Sequence, residues 1–288
     1  MNQITRFSVV VPFFNCQRYL EKCIQALLEQ TYPSAHYEVI MVDNNSTDDS
    51  ARIVRKYPRI RLLSELKQGA YAARNLGVSS AGGDVIAFTD PDCVPAPDWL
   101  NNLDMAMRNP EVLIVLGAHE FAADSLSLRL LQDYQDAKNH YVFQSRIRTA
   151  YYGHANNMAV RRTLFDELGP FEEIPRGADT VMVRRCIDRH SCEAVCYSDA
   201  ARVRHLEITS VQSYFRKVYI YGQSIRSYGQ ITRVRPMTNR ERLVVFRKTV
   251  NAQHYSLARS AHLLSLLFLG WLCWISAGIK AGRNGGVQ

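Results

Sequence analysis

The chain has 288 residues, 47% hydrophobic and 22% charged, with a mean hydropathy of −0.19. That balance excludes a disordered chain, a collagen-like chain, a disulfide-dense mini-protein and a polytopic membrane protein. The length suits one large or two closely joined domains. The net charge is +8, placed unevenly: residues 1–145 carry 13 basic and 17 acidic side chains, residues 146–288 carry 22 and 10. A basic half serves solubility or faces an anionic partner, such as a membrane surface or an acidic glycan. No nucleic-acid-binding motif accompanies it, so no nucleic-acid partner is expected.

Seven cysteines are scattered at 16, 23, 93, 186, 192, 196 and 273, with no C-x-x-C pair. Cys192 and Cys196, beside His190, form at most an incomplete metal set. The N-terminal stretch lacks the charged start and apolar run of a signal peptide. Reduced thiols and a cytoplasmic setting are the expectation.

Phe7 to Val11 reads as a strand ended by Pro12. Tyr19, Leu20, Cys23, Ile24, Leu27 and Leu28 then follow helical spacing. Glu38 to Val42 reads as strand and runs into Asn44-Asn45-Ser46-Thr47-Asp48, rich in cap and turn formers. Asp49 to Tyr57 reads as helix, Ile60 to Leu63 as strand, Gly69 to Val78 as helix and Val85 to Thr89 as strand. Strands and helices that alternate this way, with near-continuous apolar strands, predict a mostly parallel sheet covered on both faces. Ligands of such sheets bind beyond the carboxyl ends of the strands, which singles out Asp43 and Asp90.

Further on, Ser125 to Arg146 predicts a long helix. Tyr152 to Val160 reads as strand and turn. Thr163 to Leu168 is a short helix stopped by Gly169-Pro170. Thr180 to His190 and Val211 to Tyr228 are helical, the second with an aromatic face. Ala261 to Ile279 contains no Lys, Arg, Asp or Glu. It can lie in a membrane interface, span a bilayer or bury itself. Two Trp and the following Lys280 and Arg283 suit the interface.

Five constellations could carry chemistry. Asp90-Pro91-Asp92 puts two carboxylates after a buried strand, where hard oxygens can hold Mg²⁺ or Mn²⁺ against a diphosphate. Its simpler reading is a polar turn. Asp43 can accept from a base N–H or a ribose hydroxyl, or merely precede a helix cap. Arg74, between Gly69 and Gly77, can pair with phosphate, with a site carboxylate, or in a plain salt bridge. Asp179 follows Gly177-Ala178 at a helix start, where the dipole favours the anion, and an ionised carboxylate there can also serve as a general base. Arg202, Arg204 and His205 cluster in sequence, and His205 gains a role only if folding brings it to Asp92.

In order, these segments resemble glycosyltransferase family 2, with the GT-A fold, from about Phe7 to about Gly229. The matching stretches are Pro12 with Asn15, Asp43 with N-N-S-T-D-D, G-A-Y-A-A-R-N-L-G, G-G-D-V-I-A-F-T-D-P-D-C and N-N-M-A-V-R-R-T-L-F-D-E-L-G-P-F. The resemblance implies that Pro12 and Asn15 line the nucleotide pocket. It implies that Asp43 holds base or ribose, that Arg74 anchors the site, and that Asp90 contacts ribose or a metal-bound water. Asp92 is implied as the direct Mg²⁺ or Mn²⁺ ligand, with His205 near the metal or diphosphate. Asn156 or Asn157 corresponds to an asparagine near the acceptor side; Asn157 is grouped with the nucleotide-sugar-binding residues.

Asp179 is implied as the catalytic base. Many relatives have Glu-Asp where this chain has Ala178-Asp179, so the first acid is lost. The Q-x-x-R-W signature of processive synthases is absent, which favours single-sugar transfer. Residues 1–230 are then expected to form the catalytic domain, with a nucleotide-binding half to residue 120 and an acceptor half beyond it. Residues 231–288 are expected to form a helical, basic, apolar extension on the inner face of the cell membrane. The implied activity is inverting transfer from a nucleotide-diphosphate sugar, UDP-linked by family habit, to a glycan or lipid-linked acceptor. Two alternatives remain at this point: a catalytically dead scaffold, and a sugar nucleotidyltransferase, which would want a Gly-rich, Lys-containing loop where the chain has Pro-Phe-Phe-Asn-Cys.

Overall fold

The computed structural model describes residues 4–283. Residues 1–3 and 284–288, and the side chains of Lys280 and Arg283 invoked above, lie outside that description. Strand β1 (Phe7–Phe13) leads to helix α1 (Gln17–Leu28), strand β2 (Tyr37–Asp43), helix α2 (Ser50–Val54), strand β3 (Ile60–Ser64), helix α3 (Ala70–Ser80), strand β4 (Val85–Thr89) and strand β5 (Cys93–Pro95). Helix α4 (Trp99–Met107), strand β6 (Ile114–Phe121), helix α5 (Leu126–Gln144), strand β7 (Asn157–Arg161), helices α6 (Arg162–Leu168) and α7 (Ala178–Arg189) and strand β8 (Val195–His205) follow. Helices α8 (Val211–Tyr228), α9 (Asn239–Ala252) and α10 (Leu257–Arg283) complete the described chain.

The strands form one sheet of eight in the order β3-β2-β1-β4-β7-β6-β8-β5. The first four are parallel, as the alternating pattern predicts. β7 enters antiparallel between β4 and β6, β8 is parallel to β6, and β5 closes the edge antiparallel to β8. Four of the seven pairings are therefore parallel. Each sheet face has its own core, one under Phe88, Phe165 and Phe171, the other under Trp99, Leu20 and Ile24.

Pro12 does not end β1. It pairs with Val42, and the strand continues to Phe13. The β4 pairing stops at Val10, so the missing Pro12 N–H falls where β1 has only one hydrogen-bonded neighbour. The stretch read as helix from Asp49 to Tyr57 contracts to α2, five residues.

α9 and α10 pack with α5 around Leu131, Tyr134, Val245, Leu263 and Leu266. α10 also lies against α8, where a side chain at Gly222 would meet Ala277 and Trp274. Its outer face leaves Leu264, Phe268, Leu269, Trp271 and Leu272 exposed. The apolar run is thus a helix buried along one face and open along the other.

Candidate active site

The loops after β1 and β2 meet at the carboxyl edge of the sheet. Asn15, in the left-handed region at φ 46°, accepts the Thr47 N–H at 2.8 Å through its side-chain oxygen and donates its own backbone N–H to the Ser46 hydroxyl at 3.1 Å. Its amide therefore pins the two loops together. Asp43 caps the turn after β2 by accepting the Ser46 N–H at 3.0 Å through Oδ1. Asn44 turns inward and accepts the Gly69 N–H at 2.7 Å, which seats the start of α3. Pro12 is buried within β1 beneath this loop.

From α3, Arg74 donates to Asp90 Oδ1 at 2.6 Å, with its side chain only 6% exposed. The guanidinium also lies 5.0 Å from the Tyr71 ring centroid. Burial opposes the Arg74 charge, but Asp90, Tyr71 and Asp179 outweigh it and raise its pKa. The Tyr71 hydroxyl lies 3.5 Å from the Asp179 N–H, in position to accept from it. Sequence reasoning passed over Tyr71, although it sits one turn before Arg74 on the same helix face.

Folding brings Asp92 and His205 together through the sheet edge. Cys93 pairs with His205 across β5 and β8, and the Leu206 N–H donates to the Asp92 carbonyl at 2.8 Å. His205 Nδ1 then lies 3.5 Å from Asp92 Oδ2 and, though buried, has no hydrogen-bond partner among the described residues. An orphaned imidazole nitrogen facing a carboxylate is the donor set a divalent cation takes. Cys93 completes a cluster whose ligand atoms all lie within 4.8 Å of one another. Burial, then the Asp92 and Asp90 charges, keeps the Cys93 thiol protonated, so it is a poor ligand. Burial also raises the Asp92 pKa, against the pull of His205. Lys217, unremarked in the sequence, reaches in from α8 to 4.0 Å from Asp92 and 2.6 Å from Glu207.

Asp179 opens α7 and is almost fully buried. Its Oδ2 accepts the Ala155 N–H at 2.8 Å and its Oδ1 the Thr180 N–H at 2.8 Å. Gly153 and Gly177 permit this seat. A side chain at Gly153 would strike the Asp179 carbonyl, and Gly177 takes φ 87° with Tyr228 packed where a Cβ would stand. Tyr71 touches both the Arg74 guanidinium and the Asp179 N–H, so the start of α7 stands beside the helix that grips Asp90 of the D-x-D turn.

Asn157 is a correction. It is wholly buried, accepts the Trp99 Nε1–H at 2.9 Å and donates to the Ala118 and Ala201 carbonyls at 2.7 and 2.8 Å. All of its polar atoms are engaged inside the protein, so it ties β6, β7, β8 and α4 together and leaves none free for a nucleotide sugar. Its neighbour Asn156 holds His119 Nε2 at 2.8 Å, and the His119 and His154 rings meet at 4.9 Å. Burial lowers both histidine pKa values, so both are neutral at pH 7. Elsewhere, Arg202 and Arg204 each approach Glu120 at 3.7 Å. Cys192 contacts the Arg146 carbonyl, Cys196 the Tyr197 carbonyl, and His190 pairs with Glu167 at 3.0 Å, so these three do not converge on a metal.

This arrangement is that of a GT-A fold. A solved mannosyltransferase from Pyrobaculum calidifontis, PcManGT, in complex with GDP-Man and Mn²⁺, superimposes with a TM-score of 0.69 at 20% identity, covering 97% of this chain and 88% of that one. TarS of S. aureus in complex with UDP-GlcNAc superimposes with a TM-score of 0.53 at 17% identity, covering 96% and 81%. In sequence, residues 8–169 match the family model "Glycosyl transferase family 2", more than half of the chain. The glycosyltransferase AglE of Haloferax volcanii is 31% identical over 187 residues, 63% of this chain and 61% of AglE. The chain thus spans less than two thirds of that relative's length. It belongs to glycosyl transferase family 2.

Proposed function

We propose that the chain transfers one sugar, with inversion, from a nucleoside-diphosphate donor to a hydroxyl of a glycan or lipid-linked acceptor in cell-surface synthesis. Residues 1–230 act as the catalytic domain in this reading. The observation that carries it is the pairing of Asp92 with the orphaned His205 nitrogen, at the turn whose Asp90 is gripped by Arg74 of the helix that stands beside Asp179.

Asp43 holds base or ribose at the carboxyl end of β2, and Pro12 and Asn15 shape the loop around it. Arg74 fixes Asp90 so that it can meet ribose or a metal-bound water. Asp92 and His205 would hold Mg²⁺ or Mn²⁺. Bound there, the ion would neutralise charge on the departing diphosphate. Asp179 is the base: fixed by two backbone N–H groups, it takes the proton of the acceptor hydroxyl as that oxygen attacks the anomeric carbon from the far side. The donors held by PcManGT and TarS support a nucleotide-sugar donor, and UDP is the nucleotide we propose.

Docking on the inner face of an anionic membrane belongs to the same reading. Between residues 211 and 283 the sequence has 12 Lys and Arg against one acid, Glu241. The outer apolar face of α10 lies within this basic region.

A panel of nucleotide sugars with detection of released nucleoside diphosphate tests the donor and separates an enzyme from an inert scaffold. Turnover with the best donor is expected to vanish in excess EDTA and return with Mn²⁺ or Mg²⁺. Full activity in EDTA would remove Asp92 and His205 from the metal role.

A further inference from the structure

Arg74 has a neighbour with its own task. Asn75, the next residue on α3, reaches across to the chain ahead of α7. Its Oδ1 accepts the Phe171 N–H at 2.9 Å, and its Nδ2 donates to the Phe171 carbonyl at 2.9 Å. One side-chain amide thus grips both backbone groups of a residue 96 positions away, as a strand neighbour would.

What it grips is the approach to Asp179. Residues 171–177 form neither helix nor strand. Among the described residues, no other group hydrogen-bonds the main chain between Pro170 and Arg176. The Phe171 ring is buried against Tyr71, Phe88 and Phe165, at centroid distances of 5.6, 5.3 and 5.3 Å. Glu172 pairs with Arg185 on α7, and Glu173 with Lys67 just before α3. Both pairs are partly exposed and hold the segment weakly. The buried ring and the amide therefore fix where the segment starts, and Gly177 turns it at φ 87° into Asp179.

The same helix serves the donor side. Tyr71, Arg74 and Asn75 stand at i, i+3 and i+4 on α3, which is one helix face. Arg74 holds Asp90 Oδ1 at 2.6 Å, the Tyr71 hydroxyl lies 3.5 Å from the Asp179 N–H, and Asn75 holds Phe171. A single rigid element spaces the D-x-D turn from the carboxylate of α7.

We infer that Asn75 is a positioning residue that sets the reach of Asp179 toward the bound donor, acting through the Phe171 backbone. The inference rests on Asp179 being the base, as proposed above. Reacting atoms must be held about 3–3.5 Å apart, and a misplacement of about 1 Å costs about 10²-fold in rate.

The test is a double-mutant cycle on the full chain, with Asn75→Ala and Asn75→Asp each made alone and together with Asp179→Asn. Binding of the nucleoside diphosphate released from the best donor, with Mn²⁺, counts the sites in each sample. Single-turnover transfer with the matched donor and acceptor then gives a rate per site. Asn75→Ala is expected to bind nucleotide as wild type does and to transfer roughly 10–100-fold more slowly. Asn75→Asp still accepts the Phe171 N–H and is expected to lose less. With Asp179→Asn already present, neither change should slow the residual rate more than about twofold, because the group they position is gone. Wild-type rates per site in both variants, or an equal loss with and without Asp179, overturns the inference. Loss of nucleotide binding by both variants also overturns it, since Asn75 would then serve the fold at large. Full turnover by Asp179→Asn alone would sink the base assignment itself, and that result is read without any change at Asn75.

Discussion

Asp179 is held by the Ala155 and Thr180 N–H groups while α7 begins beneath it, so its carboxylate has one orientation. A base fixed in that way has its work set by reach and ionisation. Asp179→Asn is nearly isosteric. It is expected to bind nucleoside diphosphate with Mn²⁺ as wild type does and to lose about 10²–10⁴-fold in turnover. Single-turnover transfer with a matched donor and acceptor reads this. Normal transfer by a folded variant would assign the base elsewhere. Asn157 gives the opposite expectation. Asn157→Ala leaves the buried Trp99 N–H and two carbonyls without partners. At about 1–3 kcal/mol for each unsatisfied buried group, the three together cost about 3 kcal/mol or more. Urea unfolding measures it, and in whatever fraction stays folded the donor KM is expected to be unchanged.

At the scale of elements, α8 joins two regions. Lys217 reaches the Asp92 carboxylate, Tyr228 fills the space above Gly177 at the start of α7, and the Gly222 region receives α10. One helix therefore touches the D-x-D turn, the seat of Asp179 and the apolar C-terminal helix. α9 depends on its first turn. Thr238 and Glu241 form a capping box, and Arg235 adds two bonds of 2.7 Å to the same carboxylate. The Arg235 bonds, with Thr238, hold the Glu241 carboxyl down at about 2. Because this pKa is depressed on folding, its stabilisation is present above the unfolded value of about 4.3 and is lost as pH falls toward 2. Glu241→Gln is expected to cost about 1–2 kcal/mol near pH 7. The gap between the two melting curves should close between pH 4 and pH 2. A gap that persists undiminished at low pH would deny the carboxylate this role.

For the whole molecule, the basic C-terminal helices and the open face of α10 place an apolar surface within a positively charged region. Removing α10 would also strip α5 and α8 of packing, so point changes are the cleaner probe. Phe268→Glu with Trp271→Glu keeps Leu263 and Leu266 buried and charges only the outer face. The pair is expected to abolish sedimentation with phosphatidylglycerol vesicles while leaving nucleotide binding intact. Wild-type binding should weaken with salt, since each surface Lys or Arg contributes about 1 kcal/mol toward an anionic bilayer. Unchanged sedimentation would remove α10 from membrane docking.

The elements with strong periodicity were readable from the chain. β4 and α8 occupy the residues their patterns predict, and α5 lies within two residues of its predicted bounds. β6 and the long β8 were not anticipated, and α9 was expected only as part of a helical C-terminal region. β6 and β8 change from buried to mixed exposure along their length, which blurs the alternation that marks a strand. Asp90, Asp92 and Asp179 could be named because each sits just after a strand or at a helix start with a distinct local pattern, and Arg74 because Gly69 and Gly77 flank it along α3. Lys217 and Tyr71 could not, because an ordinary Lys or Tyr on a helix gives no local sign of what it will face.

The order of residues determined that the chain would form a mostly parallel sheet with carboxylates at its carboxyl edge, since strand period, turn chemistry and cap preference act over a few residues. Tertiary structure alone decided which distant groups meet. The antiparallel pairing of β5 with β8 sets His205 beside Asp92, and complete burial turns Asn157 from a binding residue into a structural one. Contacts between residues a hundred positions apart depend on how whole faces pack, and no short stretch of sequence encodes that.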